Sequence, residues 1–285
     1  MPPKPKRATG YPPDAATRIQ QACVRVADEL GDLMDEFVVI GGMVPQLLAE
    51  VQIPAPEQAY IGTLDLDLSL AIHDGSRHKA VAALMRERYE PDENERGNPT
   101  LQRWRIGPRG GEVVLVDFMT PLAGGPDRAG KIRTLDREFG AIEVPGLTLA
   151  FRDNIRVPLH REGAAAGAPP RQVTVCGHGA FLVLKALALV HRDPPHEPKD
   201  AYDIYYSLRH LPRGMEEAEA RLRLLLGDTH VDEALDVLDA GFGTADAIDA
   251  LHVAEFLTDG PNDDLQAEAS GFVRTLLTSV RGPAA

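Results

Sequence analysis

Cysteine is nearly absent. Cys23 and Cys176 are the only two among 285 residues, and they lie too far apart, with no CxxC spacing, to announce a disulfide framework or a structural zinc site. Both are expected to be reduced residues of the core or its boundary. Long hydrophobic runs are missing as well: none approaches the roughly 18 residues that a membrane span needs. The opening Met1-Pro2-Pro3-Lys4-Pro5-Lys6-Arg7 lacks the apolar stretch of a signal peptide. The expectation is a cytoplasmic protein with no membrane partner. GxSxG, Walker-loop and HExxH patterns do not occur, and His73, His78, His160, His210, His230 and His252 show no metal-ligand spacing.

Positive charge is scarce overall, with a formal net charge of −13, yet the deficit is uneven. Residues 213–285 carry 15 acidic and five basic side chains, whereas residues 128–171 carry eight arginines and lysines against five acids. The acidity belongs to the C-terminal stretch. A local basic surface over 128–171, together with Arg109 at a hairpin tip, is the one place where a polyanion would be welcome.

Hydrophobic residues at 44% and charged residues at 26% are near the globular average, so a sizeable core is expected. Residues 1–13, proline-rich and basic, read as disordered. From Asp14, a candidate N-cap, apolar residues recur at helical spacing to Leu33, and the helix feeds an apolar strand, Phe37–Ile40. Gly75 to Tyr89 reads as a helix and Pro91 to Pro99 as a polar loop. Leu101–Ile106 and Glu112–Met119 form a hairpin joined through Gly107–Gly111. Between 120 and 175 short strand-like pieces alternate with turns (Ile142–Val144, Leu147–Ala150, Val157–Leu159, Gln172–Val175). Beyond about 175 everything reads as helix: 178–192, 198–210, 215–226, 231–240, 246–257 and 263–280.

Chemistry concentrates in Thr63-Leu64-Asp65-Leu66-Asp67-Leu68-Ser69-Leu70, where strict alternation marks a half-buried strand. Asp65 and Asp67 then point the same way, about 7 Å apart at Cβ. Upstream, Phe37-Val38-Val39-Ile40 ends in Gly41-Gly42 and passes into a helix, a turn that aims backbone N–H groups at an anion. Downstream, Asp117 closes the apolar run Val113–Val116. Three carboxylates gathered within about 4 Å repel by roughly 4 kcal/mol per pair at an effective dielectric near 20. A divalent cation removes that cost, and an all-oxygen set suits magnesium. A second signal is Lys185, a lone cation inside Phe181–Val190, with His178 and Arg192 two turns away on either side. Such a lysine needs an anion, for which a triphosphate would serve. Asp203 is an alternative partner for it, or for Lys199 four residues before.

This succession resembles the nucleotidyltransferase fold of DNA polymerase β and its relatives. The continuation Lys185-x-x-Ala188-Leu189-x-x-Arg192 and Lys199-Asp200-x-x-Asp203-Ile204 is similar to the AbiEii/AbiGii-type nucleotidyltransferase toxins of bacterial type IV toxin–antitoxin systems. The resemblance implies an α+β fold: a mixed sheet with flanking helices over residues 14–175, then a C-terminal helical bundle over 176–285. It implies Asp65, Asp67 and Asp117 as Mg2+ ligands and catalytic residues, and Gly41, Gly42 and Thr63 at the nucleotide. Lys185 would hold the triphosphate, supported by Asp203 and Asp200. Where many members carry a serine in the glycine turn, this chain has Met43. The function implied is transfer of a nucleotide from a nucleoside triphosphate to an RNA acceptor, with the tRNA 3′ end as first choice, restrained by a cognate antitoxin. A protein or small hydroxylated acceptor, and an inactive binding module of the same fold, are the alternatives.

Overall fold

The computed structural model describes residues 5–50, 58–70, 75–107, 113–163, 165, 167–192, 197–211, 213–258 and 260–282. The hairpin connector Pro108–Gly111 with Arg109, the loop prolines Pro54 and Pro56, His73, the Pro194-Pro195 break and His196 lie outside the described residues.

The chain opens with helix α1 (Ala15–Leu30), strand β1 (Phe37–Ile40) and helix α2 (Val44–Glu50). Strand β2 (Asp65–Leu70), helix α3 (Gly75–Arg88) and strands β3 (Glu90–Glu93), β4 (Pro99–Ile106) and β5 (Val114–Pro121) follow. Next come β6 (Ile132–Asp136), β7 (Phe139–Val144), the short helix α4 (Thr148–Arg152), β8 (Asn154–Leu159) and β9 (Arg171–Cys176). The remainder is helical: α5 (His178–His191), α6 (Pro198–Arg209), α7 (Gly214–Leu225), α8 (Thr229–Phe242), α9 (Ile248–Leu257) and α10 (Asp263–Arg281). No helix among the described residues is long and apolar enough to cross a membrane.

The strands form one mixed sheet in the order β3-β4-β5-β2-β1-β9-β8, with β7 also pairing β5 and β6 pairing β7. β2 and β5 run parallel, as do β1 and β9, while β1 and β2 are antiparallel. The fold is therefore α+β, a mixed sheet with flanking helices followed by C-terminal helices. Apolar side chains from both parts, from Phe37 and Val116 in the sheet to Leu238 and Val273 in the late helices, join one continuous core.

Several expectations change. β2 is buried along almost its whole length rather than on one face, because β1 and β5 flank it and α1 packs across it. The first residues of the supposed polar loop, Pro91–Glu93, belong to β3, an edge strand against β4. Leu147–Ala150, read as strand, lies at the start of α4, and the exposed strand β6 has no counterpart in the sequence reading. The described part of the N-terminal segment is not disordered. Ala8–Gly10 form a 3-10 turn, and Tyr11 is 7% exposed with its ring edge-on to Phe256. One aromatic ring buried in the core offsets the cost of ordering a short proline-rich segment. Asp14 does stand at the N-cap of α1, though its side chain makes no capping bond. Both cysteines are free and buried.

Candidate active site

Parallel pairing of β2 with β5 puts Asp67 directly opposite Asp117, and Asp65 follows on the same face by the two-residue period. Each carboxylate offers an oxygen, and these oxygens lie within 4.8 Å of one another. Asp65 and Asp117 are each 2% exposed. Three acids on two adjacent strands, Asp65 and Asp117 buried and Asp67 half-buried, form an all-oxygen donor set of the kind that fits a hard divalent ion such as Mg2+. Thr63 donates from Oγ1 to Asp65 Oδ1 at 3.0 Å and fixes that carboxylate.

On the other side of β2, β1 delivers its glycine turn. Ile40 pairs with Asp67, so Gly41 follows immediately beside that aspartate. A Cβ on Gly41 would lie 1.9 Å from Asp67 Oδ2, and one on Gly42 2.8 Å from Thr63 Oγ1. Gly41 also has φ +71°, where a side chain is strained. Gly41→Ala is therefore expected to push Asp67 out of the cluster. Calorimetric titration with Mn2+ should show affinity lower by about tenfold or more, with a melting temperature reduced by several degrees. An unchanged titration would show that the turn does not position Asp67.

The glycine turn, Thr63 and Asp67 form one wall of a cavity of about 320 Å³. Facing them, α5, α6 and the residues that cap them present Lys185, Arg192, Glu197, Lys199, Asp200 and Asp203, while Glu143 and apolar residues including Val144 and Leu187 also line the cavity. Lys185 is buried between two carboxylates, with Nζ 2.6 Å from Asp200 Oδ1 and 2.7 Å from Asp203 Oδ2. Arg192 adds an ion pair to Asp200, and Lys199 one to Asp203. Tyr60 donates to Asp203 Oδ1 at 2.6 Å, and its ring lies 4.6 Å below the Lys199 ammonium. Burial alone would strip the proton from Lys185, but Asp200 and Asp203 outweigh it and hold the pKa above the ordinary lysine value. For Lys199 burial wins over Asp203 and brings it down to about 8.

No family model matches the chain, and neither does any curated protein. Among solved structures it is similar to a crystal structure of an antigenic nucleotidyltransferase-like protein from Paracoccidioides brasiliensis. That likeness has 15% identity, covers 78% of this chain and 88% of the other, and has a TM-score of 0.42. At so loose a similarity, the side chains of the site carry the functional assignment.

The residues singled out from sequence fall into two groups. Asp65, Asp67, Asp117, Gly41, Gly42 and Thr63 come together on the sheet, and Lys185, Asp200 and Asp203 come together across the cavity. Lys185 does not reach out alone: aspartates already satisfy it. His178 takes no part in that cluster. It is buried, burial and then Arg221 bring it down to about 3, and neither ring nitrogen has a hydrogen-bond partner. Sequence reasoning missed Tyr11 and Tyr60, which lie beside the lysines, and above all Arg103. Its Nε donates to Asp117 Oδ1 at 2.7 Å and its Nη2 to Oδ2 at 2.6 Å. A signal did exist, since alternation in β4 sets Arg103 and Arg105 on the face opposite Trp104 and Ile106.

Proposed function

We propose that this chain is a metal-dependent nucleotidyltransferase that moves a nucleotide from a nucleoside triphosphate to an acceptor hydroxyl. The observation that carries this reading is the Asp65/Asp67/Asp117 set beside a glycine turn, with Asp67 lining a cavity whose far side holds Lys185, Arg192 and Lys199. On that far side Lys185, Arg192 and Lys199 are the cations that would meet a triphosphate, with Asp200, Asp203 and Glu197 standing among them. The N–H groups of the Gly41-Gly42 turn take phosphate oxygens from the sheet side. A divalent ion held by the three aspartates supplies Lewis-acid charge at the phosphates when bound. Asp117, on β5 beside the β2 aspartates, would orient the acceptor hydroxyl. Attack of that oxygen on the α-phosphorus breaks the bond to the β-phosphate oxygen, and pyrophosphate leaves. Positioning and charge neutralisation account for the acceleration. The intact carboxylate set speaks against an inactive binding module.

The acceptor we infer is RNA, with the tRNA 3′ end as first choice, and the biological role that of a toxin held in check by a cognate antitoxin. Support for a polyanion comes from the rim of the cavity, although the basic patch is narrower than its sequence suggests. Arg128, Arg152, Arg156 and Arg161 are spent on Glu143, Asp228, Asp35 and Asp28, and Arg171 on the Gly31 carbonyl. Lys131, Arg133 and Arg137 remain exposed on and beside β6, next to Ala129 and Gly130 of the cavity lining.

Replacing these three by glutamine is expected to lower RNA labelling and to flatten its salt dependence by about two to three units of log–log slope. Incubation with each labelled nucleoside triphosphate and total RNA, repeated across salt, measures both. Label that enters protein or small molecules but never RNA would remove the RNA acceptor and leave the transfer chemistry standing.

A further inference from the structure

We propose that Arg103 is the counter-charge of Asp117 in the ion-free site, and that a divalent ion gains Asp117 only by displacing it. Arg103 would thus set the affinity and order of ion loading. This rests on the metal-dependent reading above and names a residue that controls it.

β4 and β5 are antiparallel, and Arg103 stands directly opposite Asp117, so both side chains leave the same face of the sheet. The guanidinium closes a fork on the carboxylate, with one N–H on each oxygen, which is the strongest geometry available to this pair. An ion shared with Asp65 and Asp67 would compete for those same oxygens, and two cations crowded on one carboxylate repel.

Freedom to move is unequal. The Asp117 side chain is 3% exposed and that of Arg103 23%, so the arginine has solvent to move into while the aspartate is fixed. The sheet favours such a movement, because the register of β4 on β5 ends at the Arg103–Asp117 pair and β7 takes over as neighbour from Met119. Arg103 therefore stands at the seam where β5 changes neighbour from β4 to β7. Without an ion it also has a clear task, since Asp65 and Asp67 add to the attraction that Asp117 exerts on its charge.

The alternative role has the opposite signature. An arginine that merely orients Asp117 for the ion would, when removed, weaken ion binding by about tenfold to a hundredfold. The experiment compares the full-length wild type with Arg103→Met and Arg103→Lys by calorimetric titration with Mn2+ and by thermal melting in chelator. Arg103→Met should bind Mn2+ about tenfold to a hundredfold more tightly than wild type. It should also melt several degrees lower in chelator, a deficit that saturating Mn2+ closes. Arg103→Lys, which keeps the charge but loses the fork, should fall between the two and carries the test by itself if the methionine variant does not fold. Equal or weaker Mn2+ affinity in the variants overturns the proposal. A wild type that binds no divalent cation overturns the metal-dependent reading itself, a distinguishable result.

Discussion

Asparagine in place of Asp67 is expected to reduce nucleotide transfer by at least about 10³-fold while leaving the folded state intact or slightly more stable without magnesium. The side chain keeps its shape, and the crowded negative charge at the site falls by one. At roughly 4 kcal/mol per carboxylate pair before solvent relaxation, even partial relief offsets the loss of a hydrogen-bond acceptor. Asp117→Asn should behave differently. It removes the charge that Arg103 clasps, so it should lower the melting temperature in chelator as well as abolish transfer. Thermal melts with and without magnesium, paired with calorimetric titration of a nucleoside triphosphate, separate the two. Magnesium-dependent nucleotide binding that survives undiminished in Asp67→Asn would take the aspartates out of the active site.

Lys185→Ala is expected to damage the fold before it reveals anything about nucleotide binding. From sequence, alanine in that helix reads as harmless, since alanine is the better helix former. The structure reverses this, because Lys185 is the shared partner of Asp200 and Asp203, both buried. Its loss takes from two buried carboxylates the cation they share, which costs about 3–5 kcal/mol and a melting temperature lower by on the order of 10 °C. Denaturant titration checks the cost. A variant as stable as wild type but unable to bind nucleotide would restore the simpler picture of a lysine held ready for phosphate.

What the sequence disclosed follows its periodicities. The alternating leucines placed Asp65 and Asp67 on one face, the apolar run before Asp117 marked a central strand, and the long helices from α5 to α10 repeat strongly enough to be bounded within a few residues. Elements without such a pattern were lost. β3 and β6 are short, mostly exposed strands whose polar residues resemble loop, and the five residues of α4 are too few to show a helical period. Site residues divide in the same way. The aspartates announce themselves by spacing, whereas Arg103 matters only because it lies across a strand pair from Asp117, and pairing is not written in local spacing. Tyr11 was hidden by its proline-rich and basic neighbours, a composition that suggests disorder until Phe256 is brought against it.

The pairing of β1 with β9 has a consequence for synthesis on the ribosome. Val39 waits for Val175 before β1 gains its second neighbour, and strand pairings of such sequence separation form slowly. The aspartate strands can align as soon as β5 has emerged, but Lys185, Asp200 and Asp203 are translated much later. Tyr11, made long before α9, docks only after Phe256 of that helix has been added. A nascent chain would thus hold its carboxylates in place well before it could grip a triphosphate, and Tyr11 would be seated only once α9 had followed.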